Sequence, residues 1–213
     1  MHDELLKKHL ELVIEANKTT NITRISTWEE GMLLHVEDSL IGLPELEAAP
    51  AGRYADIGSG AGYPGIPLAI ESGRETLLVD SVGKKTAILA NMVAELGLTQ
   101  VETYTGRIED LAREKPQAFS AITARALAKL SVLMELASPL LCNGGRLICY
   151  KARVDQEELD HALHLQNKLN MRLVSDRTVE LGENCRRIIC FERMGKPQVK
   201  LPRRTGMAQK NPL

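Results

Sequence analysis

A chain of 213 residues with 44% hydrophobic and 26% charged residues and a net charge of −1 has the makeup of one soluble domain with a sizeable core. No apolar stretch approaches the ~20 residues of a membrane span and no secretory signal opens the chain, so no membrane partner and a cytoplasmic location are expected. Cys142, Cys149, Cys185 and Cys190 form no C-x-x-C pair and sit mostly in apolar segments, which argues against a metal or disulfide framework and for reduced core thiols.

Leu5, Leu6, Leu10, Val13 and Ile14 recur at helical spacing and predict an amphipathic helix over Asp3 to Asn17. Thr27-Trp-Glu-Glu30 is a capping box, opening a second helix toward Ile41 that Gly42 and Pro44 close. A small-residue linker, Glu47 to Gly52, leads to a strand at Arg53-Tyr-Ala-Asp-Ile57. Gly58-Ser-Gly60-Ala-Gly62-Tyr-Pro-Gly65 follows and runs into Ile66-Pro-Leu-Ala-Ile70: strand, glycine loop, helix start. Further on, Thr76 to Asp80 reads as a strand, Lys84 to Leu96 as a helix ended by Gly97, and Val101 to Thr105 and Phe119 to Ala124 as strands. Leu127 to Leu141 reads as a helix, Arg146 to Lys151 as a strand and Asp155 to Leu169 as a helix. Met171 to Glu180 and Arg186 to Arg193 close the pattern as paired strands. Strands alternating with helices require a parallel sheet, whose ligands sit at the carboxyl ends of its strands.

Gly60-Ala-Gly62-Tyr-Pro-Gly65 fits the dinucleotide pattern G-x-G-x-x-G, which is weak evidence taken alone. Asp56, just ahead of the glycines, would repel a pyrophosphate and suits a cationic ligand such as S-adenosylmethionine. Asp80, at the end of the second strand, is placed to accept both hydroxyls of a ribose. The strand-end rule adds Gly58, Gly106-Arg107-Ile108-Glu109, Arg125 and Lys151 to one polar rim, whose cations have a purely structural alternative as ion-pair partners of Asp56, Asp80 or Glu109. His161 and His164 have a metal-ligand spacing with no third ligand in view. From Gly195 onward, Lys196, Lys200, Arg203, Arg204 and Lys210 meet no acid, and with Pro197 and Pro202 they read as a mobile arm seeking RNA phosphates.

Taken in order, Asn21-Ile-Thr23, His35-Val-Glu-Asp38-Ser39, the loop from Asp56 to Gly65, Asp80-Ser-Val-Gly-Lys84-Lys85, Gly106-Arg-Ile-Glu109, Ala124-Arg125-Ala126, Pro139-Leu-Leu, Gly144-Gly145 and Leu201-Pro-Arg-Arg-Thr-Gly206 resemble the RsmG (GidB) family of ribosomal RNA methyltransferases over nearly the whole chain. The resemblance implies a class I S-adenosylmethionine-dependent fold, Rossmann-like, with a mostly parallel seven-stranded sheet. It divides the chain into an N-terminal helical extension (1–50), a methyltransferase domain (51–195) and a basic arm (196–213). It implies methyl transfer to N7 of a guanine near the decoding region of 16S rRNA, by a monomer acting on 16S rRNA or the small ribosomal subunit. Gly58 and Tyr63 would line the methionine end of the cofactor, with Gly60 and Gly62 in the same loop, Asp80 on the ribose, Ile108 and Glu109 on the adenine and Arg125 beside them. Arg107, Arg125 and Lys151 would serve the reaction. The resemblance also implies that the arm can fold back beside the active site. Two other readings stay open at this point: a nicotinamide-dependent reductase, on the glycine pattern, and a non-catalytic ribosome-assembly factor that keeps the fold.

Overall fold

β1 (Tyr54–Ile57), β2 (Thr76–Asp80) and β4 (Phe119–Arg125) are short and buried almost throughout, as strands covered on both faces must be. In the computed structural model, which describes residues 1–213, they form the centre of one seven-stranded sheet. Its order is β3-β2-β1-β4-β5-β7-β6, with β3 at Val101–Thr105, β5 at Leu141–Lys151, β6 at Met171–Leu181 and β7 at Asn184–Arg193. β1 to β5 run parallel, and β7 is antiparallel to both of its neighbours. The strand order reverses between β1 and β4, and the crevice above that point is where sheets of this kind take their ligands.

Helices cover both faces. α5 (Gly65–Ser72) and α6 (Gly83–Glu95) lie on one side, and α1 (His2–Asn17) lays Leu6, Leu10 and Val13 against their Ile66, Ile70, Leu89 and Met92. Burying each of those α1 side chains contributes ~1.5–3 kcal/mol before conformational entropy is subtracted. α7 (Ile108–Glu114), α8 (Leu130–Ala137) and α9 (Gln156–Leu169) build the core on the other side. The N-terminal extension continues through α2 (Trp28–Gly31), a π-helical stretch (Met32–Glu37), α3 (Asp38–Leu40) and α4 (Leu43–Glu47).

Several elements differ from the sequence expectation for identifiable reasons. Thr27 caps the second helix as expected, with its side chain accepting from the Glu30 N–H at 3.4 Å, but that helix widens into the π stretch that turns His35 and Asp38 inward. Pro44 starts α4 instead of ending a helix, because a proline early in the first turn forfeits no hydrogen bond. α7 was not foreseen; Glu109 and Asp110 in its first turn and Arg113 in its last complement the helix dipole. α8 is shorter than Leu127 to Leu141, since Ala126 sits at φ 52° and Pro139 follows its last turn. Cys185 is exposed, although Cys149 and Cys190 are core thiols.

Of the two readings of the basic arm, the mobile extension is overturned, and the segment takes the folded-back course. The Arg203 guanidinium donates to both oxygens of Glu135 at 2.7 and 2.6 Å, and its carbonyl accepts from Arg113 at 3.0 Å. α10 (Met207–Lys210) buries Ala208 against Val132 and Leu136 of α8. His161 donates to the main-chain oxygen of Leu213 at 2.7 Å, and His164 bonds to the Asp160 carbonyl of its own helix.

Gly42 shows how tightly the extension meets the sheet: a Cβ there would stand 2.1 Å from the Tyr150 hydroxyl, which donates to the Ser39 carbonyl at 2.6 Å. Gly42→Ala is therefore expected to cost ~1–3 kcal/mol by overpacking, read as a lower denaturant midpoint. An unchanged midpoint would mean that the Tyr150 contact is slack.

Candidate functional site

β1 is followed directly by Gly58, which has φ 74° and where a Cβ would come within 2.8 Å of Leu127, so conformation and space both demand glycine. The loop beyond it is tied to the end of β2. Asp80 accepts the Gly60 N–H at 3.1 Å with one carboxylate oxygen and the Val82 N–H at 2.9 Å with the other. Each oxygen keeps a further acceptor site, and Asp80 lines a cavity of about 310 Å³. Gly58 and Gly60 floor that cavity, Arg107, Ile108 and Glu109 form another wall, and Leu127, Leu136 and Gln209 complete it. Val82, an apolar side chain 45% exposed, faces into it.

Glu109 is buried, and its carboxylate accepts the Gly206 N–H at 2.6 Å. The C-terminal segment thus fastens to the wall expected to hold an adenine, and Gln209 lines the same cavity. Arg107 lies 3.9 Å from Glu109 with its side chain 44% exposed, the one expected cation free at the cavity's edge.

The other expected site residues lie elsewhere. Gly62, Tyr63 and Arg125 do not line this cavity; the loop turns Gly62 and Tyr63 toward the N-terminal extension, where they meet His9, His35 and Arg125 in a second constellation. The Tyr63 ring is held between His9 and His35, with centroids 4.4 and 4.3 Å away, and the Arg125 guanidinium carbon stands 5.6 Å over it. Arg125 donates to the Leu34 carbonyl at 3.1 Å, to Asp38 at 2.8 Å and to His35 Nδ1 at 3.2 Å. Guanidinium nitrogens only donate, so His35 Nδ1 carries the lone pair and its Nε2–H donates to Thr23 at 2.8 Å. Burial first, and Arg125 second, lower the His35 pKa to about 4. His9 donates from Nε2 to the Ala61 carbonyl at 3.1 Å, and burial lowers its pKa to about 3. Asp38 has no solvent exposure, and its second oxygen accepts from Arg186 on β7. Lys151 pairs with Glu158 at 2.6 Å and donates to the Ala128 carbonyl at 3.2 Å, holding the loop after β4 to α9.

Asp56 does not face the cavity. It lies under the first residue of α5, where a Cβ on Gly65 would come 2.8 Å from its Oδ2, and it accepts from the Thr123 hydroxyl at 2.6 Å. Burial raises its pKa to about 6. The inference that Asp56 selects the ligand by direct charge therefore fails, and Asp80 is the carboxylate that meets the cavity. His9, His35, Asp38, Leu136 and Gln209 were given no role from sequence. His35 and Asp38 could have been found: they stand three apart, so they share one helix face.

The lining residues include no cysteine, histidine or activated hydroxyl pair. The arrangement is suited to holding a ligand in position, not to covalent catalysis.

The family model that matches the chain, over residues 2–189, is that of rRNA small subunit methyltransferase G. The chain is 37% identical over 206 residues to a ribosomal RNA small subunit methyltransferase G of Desulfitobacterium hafniense, covering 94% of this chain and 85% of that one. It is 31% identical over 212 residues to its namesake in Fervidobacterium nodosum, covering 99% and 98%. Among solved structures, a geranyl diphosphate methyltransferase bound to its substrate and sinefungin superposes with a TM-score of 0.60 at 14% identity, over 74% of this chain and 78% of that one. TrmN from Thermus thermophilus superposes with a TM-score of 0.54 at 21% identity, over 73% and 48%. At these identities the structural likeness is one of fold.

The buried rings make stability depend on pH with a definite sign. His9 and His35 bind protons more weakly when folded, so their contribution is full above the ordinary value of 6.5 and is lost as pH falls through it. Asp56, raised from 3.8 to about 6, binds its proton more tightly when folded and opposes them between those values. Two histidines against one carboxyl leave a net loss of ~1.4 kcal/mol per pH unit on acidification. The thermal midpoint should fall between pH 6 and pH 5, and His35→Gln should flatten that decline. A flat wild-type profile would contradict the assignment.

Proposed function

Since this chain belongs to the rRNA small subunit methyltransferase G family, we propose that the 310 Å³ cavity holds S-adenosylmethionine and that N7 of a guanine near the decoding region of 16S rRNA is presented at its mouth. The chain is an S-adenosylmethionine-dependent methyltransferase acting on small-subunit rRNA. The observation that carries the residue-level reading is Asp80, a carboxylate fixed by two backbone donors and still able to accept a ribose diol. Gly58 and Gly60 let the backbone approach the methionine end, while Val82 and Ile108 offer apolar faces to the adenine. Glu109, held by Gly206, positions that wall.

When bound, S-adenosylmethionine supplies an electrophilic methyl group on a sulfonium. Guanine N7 carries an in-plane lone pair and needs no proton removed, so the task of these residues is alignment, an effect worth up to ~7–11 kcal/mol. The two carboxylates of the lining, Asp80 and Glu109, are engaged by backbone N–H donors, which agrees with a chemistry that removes no proton. Arg107, which with Lys85 supplies the cations of the lining, is free to approach the guanine O6, the acceptor beside N7 that arginine reads well. Arg125 and Lys151 act through position: one holds the N-terminal extension behind the glycine loop, the other fixes the loop after β4. A nicotinamide reading of the glycine pattern is not favoured, since Gly62 and Gly65 do not line the cavity and Gly65 packs on Leu78 and Asp56.

With unmodified small subunits or 16S rRNA and labelled S-adenosylmethionine, one guanine should acquire label at N7; no transfer would favour a non-catalytic assembly factor. Asp80→Ala should weaken S-adenosylmethionine binding tenfold or more by calorimetry, because bonds to charged groups are worth ~1.5–3 kcal/mol each. Deleting the residues after Gly195 should weaken it as well, through loss of Gln209 and of the Gly206 donor. Unchanged affinities in both variants would place the cofactor elsewhere.

A further inference from the structure

A second cavity, of about 870 Å³, opens at the opposite edge of the sheet, between the starts of β4 and β5, the end of β7 and residues 195–201. Its cations are Arg193, Lys196 and Lys200, and no acidic residue lines it. Arg193 is the one arginine in the chain that is nearly enclosed, at 4% exposure. Nη1 donates to Gln117 at 3.0 Å and to the Leu141 carbonyl at 2.8 Å, but Nε meets no acceptor and no carboxylate lies within 4 Å. Most partly buried arginines of the chain have a carboxylate, Arg125 and Arg186 sharing Asp38, Arg177 having Glu45 and Arg203 having Glu135, whereas Arg74 is met by four oxygens of Leu46, Ala49, Pro50 and Ser120. A buried cation without a counter-charge is costly, and buried charges are ordinarily paired. The outer wall is also built in advance. The Gln198 N–H donates to the Lys168 carbonyl at 2.9 Å and Asn170 Nδ2 donates to the Lys196 carbonyl at 3.3 Å, so the segment carrying both lysines is pinned to the end of α9.

We propose that this cavity binds a backbone phosphate of the rRNA substrate, with Arg193, Lys196 and Lys200 as its cations. The inference rests on rRNA being the substrate and adds a contact remote from methyl transfer. α7 lines both cavities, giving Ile108 and Glu109 to the first and Ala112 to the second.

The test is 16S rRNA binding across a salt series by the full chain and by Lys196→Gln/Lys200→Gln, both exposed positions whose loss leaves the core intact. The double variant should bind at least tenfold more weakly, with a salt slope shallower by roughly 1.4–1.8 for two lost contacts, while calorimetric S-adenosylmethionine affinity stays unchanged. Arg193→Lys, which keeps the charge and removes the fork, should lose affinity with no loss of cofactor binding. Unchanged rRNA affinity and slope would overturn the proposal. So would inorganic phosphate raising the thermal midpoint of the wild type but not of the double variant while rRNA binding stays equal, since the site would then take a free anion. Wild-type methyl transfer, measured alongside, reports separately on the substrate reading.

Discussion

One carboxylate with no access to solvent joins three parts of this protein. Asp38 comes from the N-terminal extension, Arg125 from the end of β4 and Arg186 from β7, and the two guanidinium groups meet on the two oxygens of that one side chain. Removing one member of a buried ionic group costs ~3–5 kcal/mol because the rest are left uncompensated, whereas replacing the whole group by apolar residues is often neutral. The apolar stripe of α1 therefore contributes more to the stability of the extension, and Asp38 contributes its register. With Asp38 in place, His35 is aimed at Arg125, the Tyr63 ring is gripped between two imidazoles, and the glycine loop has a rigid backing.

The polar rim inferred from strand ends separates into two kinds of cation. Arg107 is exposed and weakly paired, free to meet a ligand. Arg125 and Lys151 spend their charge inside the protein, on Asp38 and Glu158. A reaction that needs alignment more than proton transfer suits this division, because a rigid frame and an exposed donor suffice to orient a base. The unfavourable burial of Asp56 beneath α5 belongs to the frame too: its Thr123 partner receives the Tyr54 hydroxyl, so a chain of polar groups locks β1 to β4 at the switch point.

The central strands, the glycine loop and Asp80 were legible because they obey local rules: fully apolar runs bounded by glycine, and an acid at a strand end. The partners of Arg125 were not, since Asp38 lies far away in sequence and the π stretch that turns it inward has no sequence period of its own. α7 escaped because seven residues give too few turns for periodicity to register. The mobile-arm reading of the C-terminal segment failed for a physical reason, while the folded-back course that the resemblance implied is the one seen. Charge count and proline content describe a segment in isolation, and a buried Glu135 waiting for Arg203 is invisible until the fold brings them together.

The two ends of the chain are unequal as places to attach anything. Met1 is 87% exposed and lies at the tip of α1, so an affinity tag or fluorophore joined there projects into solvent. Leu213 packs against the core cluster, and its main-chain oxygen accepts from His161. A tag fused beyond it would pull on α10 and, through Gly206, on the wall of the cavity. Handles belong at the amino terminus.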